Sequence, residues 1–208
     1  MHPIAGTGVL DAAFFGPIDS WPMAGALVST GVVALAEIGD KTQLLALMLA
    51  ARFRRPGAII AGILIATLLN HALAAWLGAW VAAWLQPDVL KWLVAASFAA
   101  VALWSLKPDT LDDGETLPAR GALVATLIAF FLAEIGDKTQ VATVLLATRY
   151  EPLWEVVAGT TVGMLLANVP VVILGSRFAR RLPLKAARRV AAAVFMALAV
   201  WVALNGAG

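Results

Sequence analysis

Apolar residues along this chain gather into long runs, each stopped by a short cluster of proline and charge. A helix that crosses about 30 Å of hydrocarbon needs about 20 mostly apolar residues. Six segments meet that requirement, at roughly 22–51, 57–85, 88–106, 119–148, 153–177 and 185–205. The breaks fall at Arg52–Pro56, Gln86–Pro87, Lys107–Arg120, Arg149–Pro152 and Arg177–Lys185, where proline and charge end a helix. The pattern predicts an all-α membrane protein of six transmembrane helices. Its loops are too short to hold a soluble catalytic domain.

A second regularity lies on the first. Glu37-Ile38-Gly39-Asp40-Lys41-Thr42-Gln43 recurs letter for letter at Glu134-Ile135-Gly136-Asp137-Lys138-Thr139-Gln140, an offset of 97. The same offset pairs Arg52 with Arg149, Gly62 with Gly159, Gly78 with Gly175, Phe98 with Phe195 and Trp104 with Trp201. No gap is needed across three helices, so the unit is three spans long. An odd number of spans sends the second copy in from the opposite face, which predicts two inverted three-helix repeats, as in many secondary transporters. The expected domains are an N-terminal extension 1–21, a first repeat 22–106, a cytoplasmic linker 107–118 and a second repeat 119–205. The acidic run of the linker reads as a solvated connection. The extension has no repeat partner, and without a basic n-region or clear cleavage site it does not read as a signal peptide.

Composition sharpens the picture. The chain is 62% hydrophobic and only 13% charged, against about 25% charged in soluble domains, so the place of each charge is informative. Loops 1–2, 3–4 and 5–6 carry Arg52, Arg54, Arg55, Lys107, Arg120, Arg177, Arg180, Arg181, Lys185, Arg188 and Arg189; the other side carries Lys91 and Arg149. That asymmetry predicts those three loops in the cytoplasm and both termini outside. Trp21, Trp84, Trp92 and Trp154 sit near span ends, as interfacial anchors do. Cysteine is absent, which excludes disulfides and thiolate metal sites. No H-E-x-x-H, G-x-S-x-G or phosphate-loop signature is present, and nothing suggests a resident cofactor or a nucleic-acid partner.

Both motif copies lie inside apolar runs, so Glu37, Asp40, Lys41, Glu134, Asp137 and Lys138 sit at membrane depth. Each charge at a helix centre costs about 2.5–3.5 kcal/mol by insertion scales. Facing lipid, the six would cost on the order of 15–20 kcal/mol, more than a domain's usual stability. They are expected to face the protein interior or water. On a continuous helix the Glu, Asp and Lys of each motif stand at i, i+3 and i+4, on one face. Helices 1 and 4, crossing antiparallel, would then join four carboxylates near the midplane. Thr42, Gln43, Thr139 and Gln140 add hydroxyl and amide oxygens, and Gly39 and Gly136 permit close approach or local unwinding. Such a hard, oxygen-rich site suits Mg²⁺, Ca²⁺ or Mn²⁺. Packed carboxylates favour protonation of one another, so protons can replace the metal. Lys41 and Lys138 would partly neutralise the acids when the metal is away. Asn70 and Asn168 are expected to line the site; His71, at the repeat position of Asn168, either lines it or packs as a hydrogen-bonded histidine. Ser29, Thr67, Ser97, Thr126 and Thr161 read as packing hydroxyls, and Gly159 to Gly163 as a small-residue packing face.

The doubled E-x-G-D-[KR]-[ST] motif resembles the Golgi and bacterial calcium/manganese–proton antiporter family, within the lysine-exporter superfamily. The resemblance runs from Met23 to Asn205. It implies a multi-pass protein of the bacterial inner membrane that exchanges a divalent cation for protons, with Mn²⁺ export favoured over Ca²⁺. It also implies metal binding by Glu37, Asp40, Glu134 and Asp137. A passive cation channel and a non-transporting assembly factor are the alternatives. The expected partners are the lipid bilayer and the transported ion.

Overall fold

The computed structural model describes residues 23–107, 121–175 and 183–206. The N-terminal extension, most of the linker, Trp21, Arg120, Arg177, Arg180 and Arg181 lie outside the described residues. Among those described, the chain is all helical: α1 (Ala24–Glu37), α2 (Lys41–Phe53), α3 (Pro56–Trp84), α4 (Pro87–Ser105), α5 (Ala122–Glu134), α6 (Lys138–Ala147), α7 (Leu153–Leu174) and α8 (Leu184–Asn205). Proline opens α3 and α4 at their first turn, where a missing N–H costs nothing.

Two expected helices are not continuous. Segments 22–51 and 119–148 each break just past the motif glutamate. Gly39 has φ 83° and Gly136 φ 73°, left-handed values that suit glycine and stop a right-handed helix. The aspartates that follow are extended and occupy the N-cap positions, Asp40 ahead of α2 and Asp137 ahead of α6, where the Asp137 side chain accepts from the Thr139 N–H. Apolar residues flank both breaks, so the hydrophobic pattern carries no trace of them.

Four helices, α3, α4, α7 and α8, are long and apolar enough to cross a membrane, while α1 and α5 are shorter apolar helices. Polarity runs opposite to that of a soluble protein. Leu73, Trp76, Trp80, Leu103, Leu132 and Ile173 are exposed, while Glu37, Asp40, Asn70, His71, Glu134, Asp137, Lys138 and Asn168 are buried. An apolar exterior around a polar interior suits a hydrocarbon surround. Trp84, Trp92 and Trp154 are among the exposed side chains.

The helices pack reciprocally. α1 lies along α7 and α5 along α3, so the opening helix of each half rests on the other half. Glycine permits both contacts: a Cβ on Gly62 would stand 2.8 Å from the Leu123 carbonyl, and one on Gly159 would collide with the Ala26 backbone. Gly62 and Gly159 are one repeat apart, as are Ala26 and Leu123. Gly163 likewise meets the backbone of Thr30 and Ala34, which makes the Gly159–Gly163 face a packing surface. α4 packs on α8, where the repeat partners Phe98 and Phe195 stack with centroids 6.3 Å apart. The reciprocity has one exception. α8 rests against α1 and α4 against α6, which are not equivalent pairs. The Leu184 side chain of α8 covers Gly39, where an added Cβ would meet it at 3.0 Å, while Gly136 has nothing within 4 Å among the described residues.

Candidate cation site

The breaks place the chemistry. Each motif glutamate ends one helix, and each motif lysine begins the next. The i, i+3, i+4 face expected of a continuous helix is therefore absent. In its place is a compact turn in which the Asp40 N–H donates to the Glu37 carbonyl at 3.1 Å and the Asp137 N–H to the Glu134 carbonyl at 3.1 Å. Each glutamine reaches back over its break. Gln43 Oε1 accepts from the Gly39 N–H at 2.9 Å, and Gln140 Oε1 from the Gly136 N–H at 2.7 Å. This resembles a capping box, in which a third-position side chain satisfies an orphan donor ahead of the helix. Gln43 Nε2 also donates to the Ala167 carbonyl at 2.9 Å and ties the turn to α7.

The lysines do not serve their own motif. Lys138 Nζ donates to Asp40 Oδ1 at 2.9 Å, and Lys41 Nζ lies 3.4 Å from Asp137 Oδ1. Each half thus supplies the counter-charge for the aspartate of the other. The two pairs differ in shelter: the Lys138 side chain is 3% exposed and the Lys41 side chain 25%. Thr42 Oγ1 donates to Glu37 Oε2. Thr139 Oγ1 is shared between Glu134 Oε2 at 3.2 Å and Asp137 Oδ2 at 3.1 Å.

Three of the four carboxylates meet. Oxygens of Glu37, Asp40 and Asp137, all buried, lie within 4.8 Å of one another. Glu134 stands outside that group, and its Oε2 is 3.9 Å from His71 Nε2. Asn70 Nδ2 donates to the Phe131 carbonyl at 3.0 Å, and Asn168 Nδ2 to the Met164 carbonyl of its own helix at 3.1 Å. Neither amide is aimed at the three acids by these bonds. Glu37 Oε1, Glu134 Oε1, both ring nitrogens of His71 and Asn168 Oδ1 are buried with no protein hydrogen-bond partner; His71 is therefore not the hydrogen-bonded histidine of the bland expectation. Thr126 donates to the Ala122 carbonyl within its helix, whereas Ser29, Thr67 and Thr161 hold buried hydroxyls without a partner. Buried polar atoms are nearly always satisfied, so the unpartnered Glu37 Oε1 in the three-acid group, and the unpartnered His71 nitrogens beside Glu134, mark a place that can hold something polar. The crossed lysines and the Ala167 carbonyl escaped the sequence reading; the mid-run glycines were the only sign of the turns that create them.

The family model described as divalent cation/proton antiporter GDT1 matches residues 25–113 and 122–208. A protein of Vibrio cholerae serotype O1 named "Putative manganese exporter" is 55% identical, across 83% of this chain and 87% of its own length. A Synechocystis protein named "GDT1-like protein" is 25% identical, across 81% of this chain and 91% of its own. No solved structure matches the chain.

Proposed function

The chain belongs to the divalent cation/proton antiporter GDT1 family, and from that premise we propose that it exports Mn²⁺ from the cytoplasm in exchange for protons, with Ca²⁺ the rival cargo. It is a multi-pass membrane protein of a transporter family rather than an enzyme family. The observation that carries the proposal is the meeting of Glu37, Asp40 and Asp137, drawn from both motif copies, in one buried group of oxygens.

Carboxylate oxygens at that spacing suit a hard divalent ion. Counted together, the four motif carboxylates and two motif lysines carry a formal −2 when all are ionised, the charge that one divalent cation cancels. Lys138 and Lys41 hold the aspartates while cargo is absent, and an arriving cation takes over that work. Protons compete for the same oxygens, so loading the metal expels protons and protonation expels the metal. Glu37, Asp40 and Asp137 are the ligands in this arrangement; Thr42 and Thr139 orient carboxylates, and Gln43 and Gln140 hold the turns.

The membrane arrangement that fits is six spans in two inverted three-helix repeats. α1 with α2 forms one broken span and α5 with α6 the other, with both termini on the outer side. Reciprocal glycine contacts, the stacked Phe98–Phe195 pair and the crossed lysines support it, because contacts that return one repeat apart are what a two-fold relation produces. Discontinuous helices meeting at the repeat interface are the usual cation site of such transporters.

The test uses inside-out membrane vesicles with an acidified lumen and a dye that reports lumenal pH. Adding Mn²⁺ should release lumenal protons. Glu37→Gln, Asp40→Asn and Asp137→Asn should each reduce that release by at least about tenfold, a loss of more than 1.4 kcal/mol in cation binding. Undiminished exchange in all three variants would end the reading.

A further inference from the structure

Resting on that transport reading, we infer that His71 and Glu134 form a mixed nitrogen–oxygen station for a first-row transition cation, beside the three-acid group, and that its imidazole sets Mn²⁺ apart from Ca²⁺. His71 is fully buried, and neither ring nitrogen has a hydrogen-bond partner. Its Nε2 stands 3.9 Å from Glu134 Oε2, too far for a hydrogen bond. Donor–metal distances of about 2.0–2.3 Å put two ligands of one ion roughly 3–4.5 Å apart, and the observed separation falls inside that range. Glu134 Oε1 is also buried without a partner and supplies a second oxygen.

Neighbouring bonds hold the pair in place. Asn70, one residue before His71, donates to the Phe131 carbonyl in the last turn of α5, three residues before Glu134. The station is continuous with the first group: Thr139 Oγ1 bridges Glu134 Oε2 and Asp137 Oδ2, and Asp137 belongs to the three acids. The nitrogen comes from one half only. At the repeat position stands Asn168, whose amide nitrogen is engaged with Met164. One imidazole on an otherwise oxygen-lined path has a defined chemical effect. Ca²⁺ takes oxygen ligands almost alone, whereas a nitrogen donor raises affinity for first-row transition ions.

Purified protein in detergent, loaded with Mn²⁺ as the probe, is examined by pulsed electron paramagnetic resonance. Bound Mn²⁺ should show a directly coordinated nitrogen, and ¹⁵N-histidine labelling should change that coupling. The chain has two histidines, His2 and His71, so the signal should survive His2→Ala and vanish in His71→Asn. Competition supplies the second readout: Ca²⁺ should displace Mn²⁺ from His71→Asn at a concentration roughly 10–100-fold lower than from the parent protein. Bound Mn²⁺ with oxygen ligands alone in the parent protein would overturn this inference and leave the transport reading standing. Absence of any bound Mn²⁺ in the parent protein would overturn both.

Discussion

Removing the Lys138 ammonium while keeping its volume, as in Lys138→Met, tests the crossed-lysine arrangement most directly. Lys138 Nζ and Asp40 Oδ1 are 2.9 Å apart, with side chains 3% and 0% exposed. Deleting one partner of a buried pair leaves an uncompensated charge and costs about 3–5 kcal/mol. Lys41 is a quarter exposed and 3.4 Å from Asp137, so Lys41→Met should cost only about 1 kcal/mol, near the scale of solvated pairs. The double variant Lys138→Met/Asp40→Asn removes both charges and should recover at least half of the loss, because neutral replacement of a whole pair is often tolerated. Reversible denaturant unfolding in detergent, followed by helical circular dichroism, measures the parent, these three variants and Asp40→Asn alone. A cation gives a further check. Mn²⁺ at about a hundred times its dissociation constant contributes about 2.7 kcal/mol to whichever state binds it, so it should restore much of the stability of Lys138→Met. Equal losses from Lys138→Met and Lys41→Met, or strict additivity of Lys138→Met with Asp40→Asn, would refute the reasoning.

Other expectations follow from the same geometry. Gly39→Ala and Gly136→Ala each place a Cβ in left-handed backbone, at about 1–2 kcal/mol, and Gly39→Ala should cost more because Leu184 stands over it; equal unfolding midpoints would contradict this. Gly62→Ala drives a methyl to 2.7 Å from Thr126 Cβ and should cost about 1–3 kcal/mol, whereas Gly57→Ala, with open space around it, should be neutral or slightly stabilising in the same assay. Gln43→Ala removes the bonds to Gly39 and Ala167; it should cost about 1–3 kcal/mol and slow Mn²⁺-driven proton release, and unchanged values of both would rule out its role at the turn.

Much of this was legible in the chain itself. Long apolar runs give helices wherever proline punctuates them, as at Pro56 and Pro87. An exact repeat of seven residues made the pairing of the two motifs predictable, because charged side chains in hydrocarbon have few other places to go. What escaped is three-dimensional. Ala36 and Leu44 are apolar on either side of the first motif, so nothing in the hydrophobic period separates a straight helix from one that turns at Gly39. The turn in turn decides which lysine meets which aspartate, and it leaves three acids together with Glu134 beside His71. That last asymmetry had a visible trace, since His71 faces Asn168 across the repeat, but a mismatch in letters does not reveal a direction in space.

The unequal cover over the two glycine turns has a consequence of its own. Both halves carry the same seven letters, yet Leu184 covers one turn while no described residue covers its counterpart. If the two halves are inverted copies, as proposed above, the near-twins can trade places in a companion arrangement, with the α4–α8 pair tilted toward the other side. Such a seesaw needs little to tip it. About 5.5 kcal/mol of preference carries a population from one per cent to ninety-nine, and ion gradients across a bilayer supply energies of that order. On the transport proposal, the lopsided packing is one posture of such a rocker, and the near-identity of its two arms keeps the opposite posture close in energy.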